Sequence, residues 1–222
     1  MLYLFLQKQA FFDNKFQIYN NKLFIVQGRP PCKLIWFKQR GVARKVRQMY
    51  IYFRTLKLFL TAKYDDKVGV WDEIERPMMV MPTDIDVFLE VNNGRYLSLM
   101  DIGRFEFGYK IGLINALKRR KWGLAVAGSS IRYRKRMQMF QRFTMHTRIV
   151  AVDEKWTYFQ QVIKRNGQWC VAALVRTAVT GPNGVVPSAE VAREMGLEWE
   201  PRMPDWVAKW DESDQMRPWG DN

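Results

Sequence analysis

The sequence predicts an α+β domain in which an antiparallel sheet curls around one long central helix. Three observations carry this. A run near the middle of the chain is apolar at helical spacing over most of its circumference, four extended segments with short connections follow it, and Asn166-Gly167 sits between the last two as a hairpin turn. A helix that is apolar nearly all round must be enclosed, and the sheet that follows is the element available to enclose it. The 222 residues are 48% hydrophobic and 26% charged, which is enough material for one sizeable core and excludes intrinsic disorder for the bulk.

Residues 1–48 hold ten Lys or Arg against the single acid Asp13, a net of +9 out of the chain's +14. The rest of the chain is therefore only mildly basic. This extension mixes aromatic clusters with lysines and a Pro30-Pro31 break, without sustained periodicity, and no fold is assigned to it. Its opening MLYLFL is too short for a signal-peptide core and no A-x-A pattern follows, so secretion is not expected. Met49 is a second candidate start, which would make residues 1–48 an upstream extension. The stretch after it is apolar but interrupted by Arg54, Lys57 and Lys63, too broken for a membrane span. Its Phe53, Leu56 and Leu60 share a helical face, which suits a basic amphipathic helix lying on a membrane surface; a helix or strand packed on its own domain is the alternative.

Within the domain, 49–195, a short strand is expected at Met78–Met81, stopped by Pro82. The helix follows. Asn92 is its N-cap candidate, and Tyr96, Met100, Gly103, Phe107, Ile111 and Ile114 step along it by three or four, with Leu99, Ile102, Phe105, Tyr109 and Leu113 widening the apolar surface. Gly103 allows close approach of whatever wraps the helix. The extended segments are Leu124–Arg134, Phe140–Val152, Lys155–Arg165 and Gln168–Val179. In the second, Phe143, Met145, Ile149 and Ala151 fall on one face, while Arg142, Thr144, His146 and Arg148 fall on a face expected to be in water. A short helix is expected at Ser188–Met195, then a Trp- and Pro-rich coil, 196–222. Its tryptophans suit a cover over an apolar tunnel or a membrane contact, and the sequence does not choose.

Several classes of chemistry are excluded early. One histidine cannot build a two-His metal site, and Cys32 and Cys170 form no C-x-x-C, so no metal, disulfide framework or cofactor is called for and a reducing, cytoplasmic setting fits. Zinc-finger spacing and RNP-type aromatics are absent, so nucleic acid is not an expected partner. Ser129-Ser130 do not form G-x-S-x-G. His146 reads as a surface residue without a catalytic role, Cys170 as a small core residue, and Asp101 with Arg104 as an i, i+3 ion pair.

The segment from Asp84 to Tyr96 carries the chemistry. Two acids spaced by one residue precede a helix start occupied by two asparagines. The first N–H groups of a helix lack intrahelical acceptors and sit at the positive end of its dipole, so they can polarise a carbonyl. A carboxylate in the preceding loop can then activate water or attack directly. The plainer alternative is that Asp84, Asp86 and Asn92 only cap a turn and a helix.

The run TDIDVFLEVNNGRYLSLMDIGRFEFGYKIGL, with GSSIRYRKRMQMFQRFTMHTRI, DEKWTYFQQ and VVPSAEV after it, resembles the hotdog-fold acyl-CoA thioesterases of the 4-hydroxybenzoyl-CoA thioesterase type, in the thioesterase-like branch. The family pattern Asp-x-Asp-x-x-x-His-x-Asn-Asn-x-x-Tyr falls on Asp84, Asp86, Glu90, Asn92, Asn93 and Tyr96. The resemblance implies Asp86 as nucleophile or general base and the N–H near Asn93 as the carbonyl-polarising group. Asn92 and Tyr96 would contribute to substrate binding. Glu90 stands where many members have His, and is either a second base or a like-charged neighbour of Asp86. The resemblance further implies an acyl-CoA or acyl-carrier-protein substrate, and a homodimer, or a tetramer of paired dimers, with sites between subunits. Arg132, Arg134, Lys135 and Arg136, the densest basic cluster of the domain, are the candidates for CoA phosphates, with Ser130 just before them a further substrate-binding candidate; a solvated strand end is the alternative.

Overall fold

The computed structural model describes residues 67–198 and 200–218, together with the backbone of two short strands nearer the N-terminus. The chain divides into two compact units, Met1–Val46 and Arg47–Asn222. In the first, β1 (Phe16–Tyr19) and β2 (Lys22–Ile25) pair antiparallel, a hairpin the sequence reading did not assign. The proposed amphipathic stretch around Phe53, Leu56 and Leu60 lies outside the described residues, as do Cys32, Trp199 and Trp219.

The second unit runs β3 (Glu73–Met79), a 3-10 turn (Pro82–Asp84), α1 (Asn93–Lys110), α2 (Leu113–Arg120), β4 (Gly123–Tyr133), β5 (Arg142–Val152), β6 (Thr157–Arg165), β7 (Gln168–Gly181), β8 (Gly184–Val185), α3 (Ser188–Met195) and α4 (Asp205–Gln215). All pairing is antiparallel, in the order β3-β5-β6-β7-β4, with β8 also on β7. This is the α+β arrangement expected, a curled sheet holding α1 on one face. Phe107 and Phe159 meet edge to face at 5.8 Å, and Tyr96, Leu99 and Met100 of α1 join Met145, Ile149, Ile163 and Val175 of the sheet in one core.

The helix is enclosed over nearly its whole circumference, and its buried residues include Arg104 and Glu106 as well as apolar ones. Gly103 is where the sheet comes closest. A methyl group there would lie 2.6 Å from Thr147 Oγ1 and 2.9 Å from Met145 Sδ. Beside it, Gln161 donates from Nε2 to Met100 O (2.8 Å) and Thr147 Oγ1 (3.1 Å), and its Oε1 accepts from Arg104, which also pairs with Asp101 as expected. Burial lowers the proton affinity of the Arg104 guanidinium from its usual value, opposed by Asp101.

Four expectations are corrected. The central helix does not run on to Ile114: Gly112 takes φ +84° and the chain restarts as α2, which the apolar period alone had merged with α1. In β5 the pairing shifts between Ile149 and Ala151, and this bulge moves Ala151 to the outer cluster with Tyr158 while Val152 joins the inner core. His146 is not a surface residue. It is 7% exposed, with Nδ1 2.8 Å from Glu73 Oε1. Finally, 205–215 is helix, not coil. Its Val207 is buried against the outer sheet face, and its Trp210 lies with Trp156 about Arg176, the guanidinium carbon 5.5 and 5.4 Å from the two rings. Arg176 also pairs with Asp211 and, at 2.9 Å, with Asp214. Cys170 is buried, as expected.

Candidate active site

Every residue of the Asp84–Tyr96 pattern lies on one short path from the end of β3 into α1. Val80 continues beyond β3 by exchanging backbone bonds with the chain before β5, Val80 N to Gln141 O and Phe140 N to Val80 O, both 2.9 Å. Pro82 opens the 3-10 turn. Asp84 then faces inward. Its Oδ2 accepts from Met81 N (2.9 Å), its Oδ1 lies 3.6 Å from Arg95 Nε, and its carbonyl accepts from Asn92 N (2.9 Å). Arg95 also donates to Thr83 O (3.2 Å). The buried Asp84–Arg95 pair thus ties the turn to the first residues of the helix.

Between these two anchors the chain makes a narrow loop. Ile85 bridges Val91, Asp86 N donates to Glu90 O (2.8 Å), and Asp86 Oδ1 accepts from Phe88 N (2.8 Å) in an Asx turn. The other carboxylate oxygen of Asp86 has no partner among the described residues. Leu89 takes φ +61°, and the tip Val87, Phe88, Leu89 is 65%, 79% and 62% exposed. Glu90 is engaged on the far side of the loop, its Oε1 2.6 Å from Arg136 Nη1, and this pairing holds the Arg136 guanidinium above its usual value.

At the helix start, Asn92 is the N-cap, its Oδ1 accepting from Gly94 N at 3.1 Å, and Arg95 N donates to Asn92 O at 2.8 Å. The N–H of Asn93, between them, has no acceptor among the described residues. Tyr133 closes over this end of α1, donating from its hydroxyl to Asn93 O (3.2 Å) with its ring 5.5 Å from Tyr96. Burial is the main cause that pushes the Tyr96 phenol up to about 12, against a lowering backbone bond from Met137.

Asp86, Glu90, Asn92, Asn93 and Tyr96 thus follow one another along the loop and the first turn of α1. Ser130, Arg132 and Arg134 do not join them within one chain. Ile131 packs toward the inner core and Tyr133 reaches Asn93, so strand alternation turns Ser130 and Arg132 to the opposite face. Arg134 lies just past the strand, its N–H bonded to Cys170 O (2.8 Å). The sequence reading missed Tyr133, whose place on the inner side of β4 follows from the same alternation, and the Asp84–Arg95 pin, which needs the fold.

A loop carboxylate, an unfilled backbone donor at a helix N-terminus and a flanking tyrosine pair form a site suited to attack on a polarised carbonyl. The thioesterase-like superfamily model matches residues 80–210, the site and every strand of the sheet except β3. The chain belongs to that superfamily. Protein THEM6 of Xenopus laevis is 29% identical over 142 residues, 62% of this chain and 69% of that protein; Protein THEM6 of Danio rerio is 37% identical over 102 residues, 45% and 50% respectively. The chain thus spans between half and about two thirds of these two relatives. Among solved structures, the hypothetical protein TT1821 of Thermus thermophilus (TM-score 0.52, 15% identity, 58% of this chain and 100% of that one) shares the fold. So do the gentisyl-coenzyme A thioesterase BH1999 (0.50, 16%, 54% and 99%) and the 1,4-dihydroxy-2-naphthoyl-CoA thioesterase Slr0204 of Synechocystis (0.50, 12%, 56% and 95%). The fold of this thioesterase-like chain is accordingly the hotdog.

Proposed function

We propose that this protein hydrolyses an acyl thioester, with acyl-CoA as the first substrate class to consider and an acyl carrier protein as the second. The observation that carries the reading is that Asp86, with one carboxylate oxygen unpartnered among the described residues, sits on the loop leading into the helix start at which the Asn93 N–H is unfilled. In this reading the thioester carbonyl accepts from Asn93 N–H. The Asp86 carboxylate then removes a proton from attacking water, or attacks the carbonyl carbon itself and is released by water, and the thiolate leaves as the free thiol. Glu90 acts through Arg136 to hold the loop. The 4-hydroxybenzoyl-CoA type is one member of this substrate class.

The reading extends to a homodimer joined along β4. That strand lies at the end of the sheet, its outer edge takes no strand among the described residues, and Val126 and Tyr133 on it are exposed. Such pairing would bring Arg132 and Arg134 of one copy toward the helix start of the other, where they would meet CoA phosphates. Among the described residues no helix is long and apolar enough to cross a membrane; a peripheral membrane contact remains part of the proposal for the segments outside them.

The test is release of free thiol from short, long and aromatic acyl-CoAs by wild type and Asp86→Ala in parallel. Turnover that falls by at least a hundredfold in the variant supports the mechanism; equal turnover removes Asp86 from it. A second reading, binding without turnover, is favoured by the Glu90–Arg136 pair in place of the family's histidine. It predicts saturable acyl-CoA binding, unchanged in Asp86→Asn, with no thiol released by either protein.

A further inference from the structure

We propose that Glu73, Glu75 and His146 form a binding site for one divalent transition-metal ion of the zinc class, apart from the proposed thioester site. The register of the β3–β5 pair puts Glu75 directly opposite His146 and Glu73 opposite Arg148. Residues two apart on a strand point the same way, so Glu73 and Glu75 project from the same side as His146, on the face turned away from Ile74, Thr147 and α1. Two ligands from one strand and a third from its neighbour converge on a point just off the sheet, with the remaining coordination positions facing solvent.

The distances suit an ion. The donor atoms of the three side chains all lie within 4.8 Å of one another, with His146 Nδ1 2.8 Å from Glu73 Oε1 and 3.4 Å from Glu75 Oε1. Bonds of about 2.0–2.2 Å at tetrahedral angles separate neighbouring donors by roughly 3.3 Å. The Glu75 spacing already matches this, and the Glu73 spacing needs about half an ångström of opening by a carboxylate that is 39% exposed. The imidazole is the fixed partner, its side chain only 8% exposed. An imidazole with two carboxylates favours zinc-class ions over magnesium, which prefers an all-oxygen octahedron.

The neighbouring cation does not fill the site. Arg148 Nε lies 3.8 Å from Glu73 Oε2, but that guanidinium is committed to Gln160 Oε1, at 2.9 Å from Nε and 2.6 Å from Nη2. It orients the outer oxygen of Glu73 while leaving Oε1 turned to His146. An ion there would clip the edge strand β3 to β5, and β3 leads directly into the loop that carries Asp86.

The experiment uses the full chain, stripped with chelator and titrated with Zn²⁺, Co²⁺ and Mg²⁺ in turn, with stoichiometry by native mass spectrometry, affinity by calorimetry and the visible absorption of bound Co²⁺. One equivalent of Zn²⁺ is expected, with Co²⁺ bands of a site of low coordination number and Mg²⁺ at least a hundredfold weaker. Glu75→Gln alters an exposed side chain and does not threaten the fold; it should weaken Zn²⁺ at least tenfold, and His146→Gln should weaken it further. Wild-type protein that takes up no ion overturns the proposal. So does Zn²⁺ binding that is unchanged in both variants, which would place the ion elsewhere, or Mg²⁺ binding equal to Zn²⁺.

Discussion

Tyr96 shows how burial of one side chain becomes a pH dependence of the whole fold. Its phenol is 3% exposed and its pKa is raised from 10.0 to about 12, so between those values the unfolded chain ionises while the folded chain holds the proton. The contribution to stability is complete below pH 10 and is lost as pH rises toward 12, by about 2–3 kcal/mol at 1.36 kcal/mol per unit. Urea unfolding of wild type and Tyr96→Phe across pH 9 to 12 should show a shallower alkaline decline in the variant. Glu90 supplies a second test. Exchanging it for His removes the Arg136 partner and restores the common residue of the family, and a large rise in kcat would mean that the native Glu holds the rate down. Both residues were legible from the motif. What each touches was not, because Arg136 is 46 positions away and meets Glu90 only after β4 has turned the chain back.

At the scale of elements, helix α1 and strand β5 fit each other through a missing side chain. A methyl group at position 103 meets Thr147 and Met145 well inside contact distance, so Gly103→Ala should cost about 1–3 kcal/mol, read from the denaturant midpoint at unchanged slope. The last helix is held by ion pairs as well as by apolar packing. Converting Asp211 and Asp214 together to Asn leaves Arg176 buried between Trp156 and Trp210 without its partner charges, and the melting temperature should fall by several degrees. The sequence showed α1 plainly, since its period is long and its apolar residues dense. It hid α4, where Trp206, Val207 and Trp210 sit among prolines and acids and make a helical pattern of only three residues. It hid the break at Gly112 because the apolar period on either side stays in phase.

For the molecule as a whole, the proposed dimer turns on the edge of β4 that takes no strand among the described residues. Light scattering should give twice 26.4 kDa for wild type, and Val126→Lys, which puts a charge on that edge, should shift the mass toward one copy and lower thiol release with it. The overall architecture was legible because helical period, strand alternation and the Asn166-Gly167 turn all point to one fold. The environment of His146 was not. Alternation placed it on the outer face, but its partner Glu73 lies 73 residues earlier, on a strand whose register no local pattern reveals.

The hydrogen bonds of Gln161 bear on the whole molecule in another way. A helix resting on a sheet through apolar contacts alone can shift along its axis or roll at small cost, since one methyl group replaces another. Gln161 removes that freedom, for its amide must meet Met100 O and Thr147 Oγ1 at once while Arg104 meets Gln161. It works as an index mark on a ruler whose zero is the Asn93 N–H, seven to eleven residues or about 10–16 Å away along α1. Blurring the mark, as in Gln161→Leu, should displace that zero by a fraction of an ångström and lower kcat while KM stays nearly fixed. A defect in catalysis would then arise from a side chain that no substrate atom ever approaches.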